Sequence, residues 1–199
     1  MRNLSLCKPA SREKMHEIIK EDLVFIGVVA PLIILQAIMF THTMYIIADS
    51  QSFALTVLSI FSTNSLGNLL LFATMYYVYK IRIPKIKDVC TGFILREALF
   101  LEKHPLLVVS SLIALVIIAS AVRVLLSLGV LSIDNLLLAL RLTAETPHAY
   151  IEIVAYFLGV SSVVVGKEKK EILFIHSLSY GLLLSAGILE ALLIFSLTR

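Results

Sequence analysis

The chain has 199 residues, 59% hydrophobic and 16% charged, with a mean hydropathy of +0.95 and a formal net charge of +3. An ordinary globular domain carries roughly 25% charged residues, so there is too little polar surface to cover a water-soluble core. A soluble enzyme is excluded, nucleic-acid binding is not indicated, and the fold class expected is an all-α polytopic membrane bundle with about five spanning helices and short interfacial helices.

Residues 1–22 form a mixed-charge segment expected to be cytoplasmic. They precede an apolar run too long for the h-region of a signal peptide. From 23 to 199 the chain reads as one transmembrane domain with spans at about 23–47, 53–79, 106–131, 147–166 and 172–198. The uncharged runs 23–47 and 50–79 hold 25 and 30 residues, against the roughly 20 that a helix needs to cross a hydrocarbon core of about 30 Å. Gly27 and Pro31 are expected to bend the first span, and Asn64, Ser65, Gly67 and Asn68 to interrupt the second. Close helix packing is the first reading of these small and polar residues, and a ligand site the second.

Segment 80–104 is too charged to span. Val89, Cys90, Phe93, Ile94 and Ala98 recur in it at helical spacing beside Lys87, Arg96 and Lys103, which fits either an amphipathic helix on the membrane surface or a solvated helix tucked under the bundle. A similar pattern makes 132–143 an interfacial segment, starting near Asp134 or Asn135. Of the 17 Lys and Arg residues, 14 fall before the first span, in 80–104 or in 167–170; only Arg123, Arg141 and Arg199 do not. The positive-inside rule then places the N-terminus in the cytoplasm and the C-terminus outside. Cys7 and Cys90 would both lie inside, where thiols stay reduced, and their spacing suggests neither zinc nor a redox pair.

Ionisable groups inside a membrane are costly and worth locating. With this topology Arg123, Glu152 and Glu190 fall roughly 2 to 12 Å below the outer interface together with His148, at about 1.5 Å per residue, and His42 belongs to the same layer. His148 and Glu152, four residues apart, share one helix face, and Pro147 suits a first helical position. Two readings fit. An Arg123–carboxylate pair, with Glu152 as the nearer partner, specifies how three helices pack; or the layer is a binding, relay or catalytic site. No His-Glu-x-x-His, Gly-x-Ser-x-Gly, phosphate-binding loop or Gly-x-Gly-Asp motif is present. Two potential ligands on one helix are too few to assign a metal. No catalytic residue, metal or cofactor is therefore assigned.

The stretch from Glu145 to Gly159 resembles the Pro-His-Gly-x-x-Glu-x-x-Ala signature of the stage II sporulation protein M family, through Pro147, His148, Glu152 and Ala155. Asn64 is similar to the first of that family's paired asparagines, and Ala186-Gly-Ile-Leu-Glu190-Ala to its last-helix Ala-x-x-Glu-Ala. Ala149 and Ser65 depart from the pattern, standing where the family has Gly and a second Asn. The resemblance spans residues 20–198 and implies a divergent member of a family of helical membrane proteins that, in spore formers, organise a wall-degrading complex. The expected function is thus non-enzymatic: a scaffold or component of a membrane complex, with lipid and other membrane proteins or further copies of itself as partners. The alternatives are a small transporter or channel component using the acidic and histidine layer, and an intramembrane metal-dependent hydrolase.

Overall fold

A computed structural model describes residues 12–49, 52–89, 92–127 and 129–197; Cys7, Cys90 and the side chains of Val89, Ile94 and Arg123 lie outside the described set. The described residues are helical, without a strand: α1 (Arg12–Asp49), α2 (Phe53–Tyr76), a π-helix (Tyr77–Arg82), α3 (Ile83–Val89), α4 (Gly92–Lys103), α5 (Pro105–Ser127), α6 (Ile133–Glu145), α7 (Pro147–Val165) and α8 (Lys169–Leu197). Five helices are long and apolar enough to cross a membrane: α1, α2 with its extension to Asp88, α5, α7 and α8. The chain is a multi-pass membrane protein.

Local chemistry sets the ends. Ser52 caps α2, its hydroxyl accepting from the Leu55 N–H at 3.4 Å, and Pro105 and Pro147 open α5 and α7, where a missing donor costs nothing. Glu171 reaches back to accept from the Lys167 N–H at 2.9 Å and the Glu168 N–H at 3.3 Å, satisfying donors at the start of α8. The third span stops at Ser127, short of 131. Gly129 takes φ 68°, donating its N–H to Leu126 while the Val130 N–H reaches Leu125, a left-handed glycine stop that satisfies two terminal carbonyls. The interfacial segment begins at Ile133, capped one residue earlier by the Ser132 hydroxyl, which accepts from the Asn135 N–H at 3.1 Å.

The centre of the bundle is α2, α7 and α8. Met75, Ala155, Tyr156, Val160, Val163 and Leu183 are buried there, with Val109 and Ile113 of α5 closing one side. Small residues bring the backbones together: Ala155 and Gly159 on α7, Ala186 and Gly187 on α8, all buried. Lipid-facing apolar groups gain nothing by leaving lipid, so close van der Waals contact of this kind is what drives the packing. Asn64, Ser65, Gly67 and Asn68, expected to interrupt α2, do not; the helix runs through them unbroken. Pro31, expected to bend α1, lies inside that helix, which continues through it. The outer helices are less covered. No residue in the most apolar stretch of α1 is buried by the rest of the chain.

At the lysine-rich end the chain builds a platform. Segment 80–104 is not one amphipathic helix but the end of the π-helix followed by α3 and α4, tucked against α1. Ile83, Ile86 and Ala98 are buried there against Ile18 of α1. Phe93, expected on the apolar stripe, points outward at 80% exposure. Asp22 of α1 joins the two parts, accepting from the Tyr77 hydroxyl at 2.7 Å and pairing with Arg82 at 3.2 Å. Lys85 pairs with Glu21 and Lys87 with Glu102. Tyr79 donates to the Leu101 carbonyl at 2.7 Å.

Asp22 is less than one-third exposed, so its two bonds are only partly screened. Asp22→Leu is expected to lower unfolding free energy in detergent by about 1–2 kcal/mol, whereas Asp22→Asn, which keeps an acceptor for Tyr77, loses about half of that. Denaturant titration of both variants checks this; equal losses would show that the tyrosine bond contributes nothing.

Candidate functional site

Towards the end of the bundle opposite the platform, α1, α2, α5, α7 and α8 leave a cavity of about 400 Å³ between them. One wall is polar. Asn64 of α2 faces α7, its side-chain amide donating to the Glu152 carboxylate. One turn further along α7, the Tyr156 hydroxyl donates to the Asn64 carbonyl at 3.3 Å. Glu190 of α8 lines the same wall, close enough to Glu152 for the two carboxyls to interact electrostatically. Among the described residues no hydrogen bond or ion pair reaches the Glu190 carboxylate. His148, half-buried, and Thr146 stand beside the carboxylates at the start of α7. The opposite wall is largely apolar, formed by Phe40, Met44 and Ile47 of α1 with Val116, Ile117 and Val124 of α5.

The structure thus brings Glu152, Glu190, His148 and Asn64 to one cavity. His42 does not join them. It is exposed on α1, and the residue that turns inward is its neighbour Thr43, which bonds the Thr63 hydroxyl at 2.8 Å and donates to the Ser59 carbonyl at 3.2 Å. Depth along a helix is readable from residue counts, but facing is not, and consecutive residues of an α-helix point about 100° apart. Arg123 sits on α5 between cavity-lining Ser120 and Val124, but its side chain, and so the expected pairing with Glu152, lies outside the described residues.

The four signature residues of α7 have separate tasks. Pro147 starts the helix, His148 and Glu152 present polar groups to the cavity, and Ala155, fully buried, lets α7 lie against its neighbours. Ala149, at the position where the signature has glycine, is buried and also lines the cavity. No group of three or more His, Cys, Asp or Glu able to hold a metal occurs among the described residues.

Deeper in the bundle lies a second polar cluster that sequence reasoning did not assemble. The Asn68 amide donates to the Ser179 hydroxyl at 2.7 Å, and that hydroxyl donates to the His176 carbonyl at 2.5 Å. The His176 ring is sandwiched, stacked on Phe72 with centroids 4.0 Å apart and meeting Tyr180 edge-on at 4.9 Å. Asn68 rests on Gly159 of α7. His176 carried no signal in the sequence, because its partners are aromatic rings from two helices.

No known family model, curated protein or solved structure matches the chain.

Proposed function

We propose that the chain is a non-enzymatic component of a membrane complex, a scaffold of the stage II sporulation protein M type, with its N-terminus in the cytoplasm and its C-terminus outside. The observation that carries this reading is the uncovered state of α1. It is 38 residues long and packs only along part of its length, leaving Leu23, Val24, Ile26, Val28, Ile34 and Ile38 more than half exposed. Such a flank offers a helix-packing surface to a partner or to a second copy in the membrane plane. The five long helices supply anchoring and α3 and α4 a charged platform, while the Pro147-His148 and Glu152 pattern supports the family reading.

The test is photo-crosslinking in native membranes from a probe at Ile34. A discrete, stoichiometric adduct of defined mass is expected; lipid adducts alone would overturn the reading. Orientation is checked separately with thiol reagents that cannot cross membranes. In intact cells Cys7 and Cys90 are expected to stay unlabelled and a cysteine introduced at Ser50 to react. Labelling of Cys90 would reverse the topology.

One observation favours a second reading, a small transporter or channel component: the cavity reaches two carboxylates within the span of the helices. Residues of this kind in membranes commonly mark substrate or ion routes.

A further inference from the structure

We propose that the cavity between α1, α5 and the α2–α7–α8 core is a binding site for a primary alkylammonium group, the amine seated on Glu152 and Glu190 and its carbon chain against the apolar wall.

Three independent features of the cavity lead to this ligand class. The first is charge. The described ionisable groups lining it are Glu152, Glu190, His148 and Tyr156, with no Lys or Arg among them; a cation offsets the mutual repulsion of the two carboxyls in a poorly screened environment. Hydrogen bonding is the second. Asn64 already donates to Glu152, which fixes that carboxylate's direction, whereas Glu190 is left with all its acceptor capacity among the described residues. An ammonium carries three donors and no acceptor, the complement of such a pair. Shape is the third. At about 400 Å³ the space far exceeds a bare ion and lies within the range of small-molecule sites. Its asymmetry, with carboxylates, Thr63 and Tyr156 on one side and Phe40, Met44, Ile47 and Ile117 on the other, matches a molecule charged at one end and apolar at the other. A free amine and the headgroup of an aminophospholipid share this chemistry. The inference rests on the cavity alone and stands or falls independently of the complex proposed above.

Arg123 lies in α5 between two cavity-lining residues, Ser120 and Val124, and Arg123→Gln tests whether it competes for the carboxylates.

The experiment uses the full chain in nanodiscs of phosphatidylcholine, titrated with butylammonium chloride and, as controls, sodium chloride and sodium butyrate. A saturable rise of several degrees in melting temperature is expected once the amine is about 100-fold above its Kd, and neither control should reproduce it. In nanodiscs containing phosphatidylethanolamine the amine should add little if the headgroup is the occupant, and the full shift if a free amine is. Glu152→Gln and Glu190→Gln should each abolish the shift. A second readout keeps the test open if either variant is unstable: with an apolar carbodiimide and butylammonium the native protein should show, by mass spectrometry, saturable loss of N-acylurea adducts at Glu152 and Glu190, as unreacted carboxyl or as the butylamide formed when the seated amine displaces the urea. The proposal is overturned if no saturable shift or adduct loss appears in either lipid, if both variants respond like the native chain, or if binding appears only after Arg123→Gln.

Discussion

Gly159→Ala is expected to destabilise the protein by about 2 kcal/mol, within the range of 1–3 kcal/mol that overpacking a dense interior costs. A methyl at this position would stand 2.8 Å from the Asn68 amide nitrogen and 2.9 Å from its Cγ, both inside contact distance. Asn68 cannot swing aside cheaply. It is fully buried and its amide is bonded to Ser179 on the third helix of the core, so either that bond breaks or α2 and α7 part. Asn68→Ala removes the obstruction at the expense of the hydrogen bond. The double variant Gly159→Ala, Asn68→Ala should therefore lose less than the two singles combined, with a coupling of about 1 kcal/mol or more. Thermal unfolding of the four proteins in one detergent measures this cycle. Strict additivity would mean that the asparagine does not set the α2–α7 spacing.

Gly166→Ala is expected to cost more, about 3 kcal/mol, because the atoms in the way include backbone. Gly166 ends α7 and makes the turn into α8. A methyl there would lie 2.7 Å from the Ser162 carbonyl oxygen and 3.1 Å from the Ile172 nitrogen, neither of which has a rotamer to change. The same residue donates its N–H to Ser162 at 2.8 Å and accepts from the Lys80 ammonium at 3.4 Å. Opening the turn thus loosens the tightest helix pair and its tie to the π-helix together. Hydrogen exchange should show the added mobility at the ends of α7 and α8 first, before the middle of either helix. Unchanged melting and unchanged exchange would show that the turn relaxes without penalty.

The helical class and the five long helices were legible because hydropathy and length decide them. So was the α7 wall of the cavity: His148 and Glu152 lie four residues apart, and a face on one helix follows from spacing alone. Which residue of a neighbouring helix meets that face does not follow from spacing. Glu152 was expected on Arg123, by charge, a pairing outside the described residues; the partner that the described residues do show is Asn64, an uncharged residue 88 positions earlier. The asparagines of α2 were visible as unusual in an apolar helix, but composition made them breaks, whereas cross-helix partners satisfy them and the helix needs no interruption. His42 and Thr43 show the same limit. A histidine attracts attention and a threonine does not, yet the rotation of α1 chose the threonine.

The π-helix at Tyr77–Arg82 has a consequence for how the chain tolerates change in length. Its i→i+5 bonds close rings one residue larger than those of an α-helix, so the segment works as a shim: everything beyond it is turned and advanced relative to an uninterrupted α2. That offset lets Tyr77 at its first residue and Arg82 at its last both converge on Asp22. It also delivers the Lys85 ammonium to Glu21, not to lipid. The platform is consequently indexed to α1 by a count of residues as much as by their identity. Substitutions at the lipid-facing positions of this segment leave the count intact, whereas a single deletion would rotate Lys85 of α3 away from Glu21, which holds it.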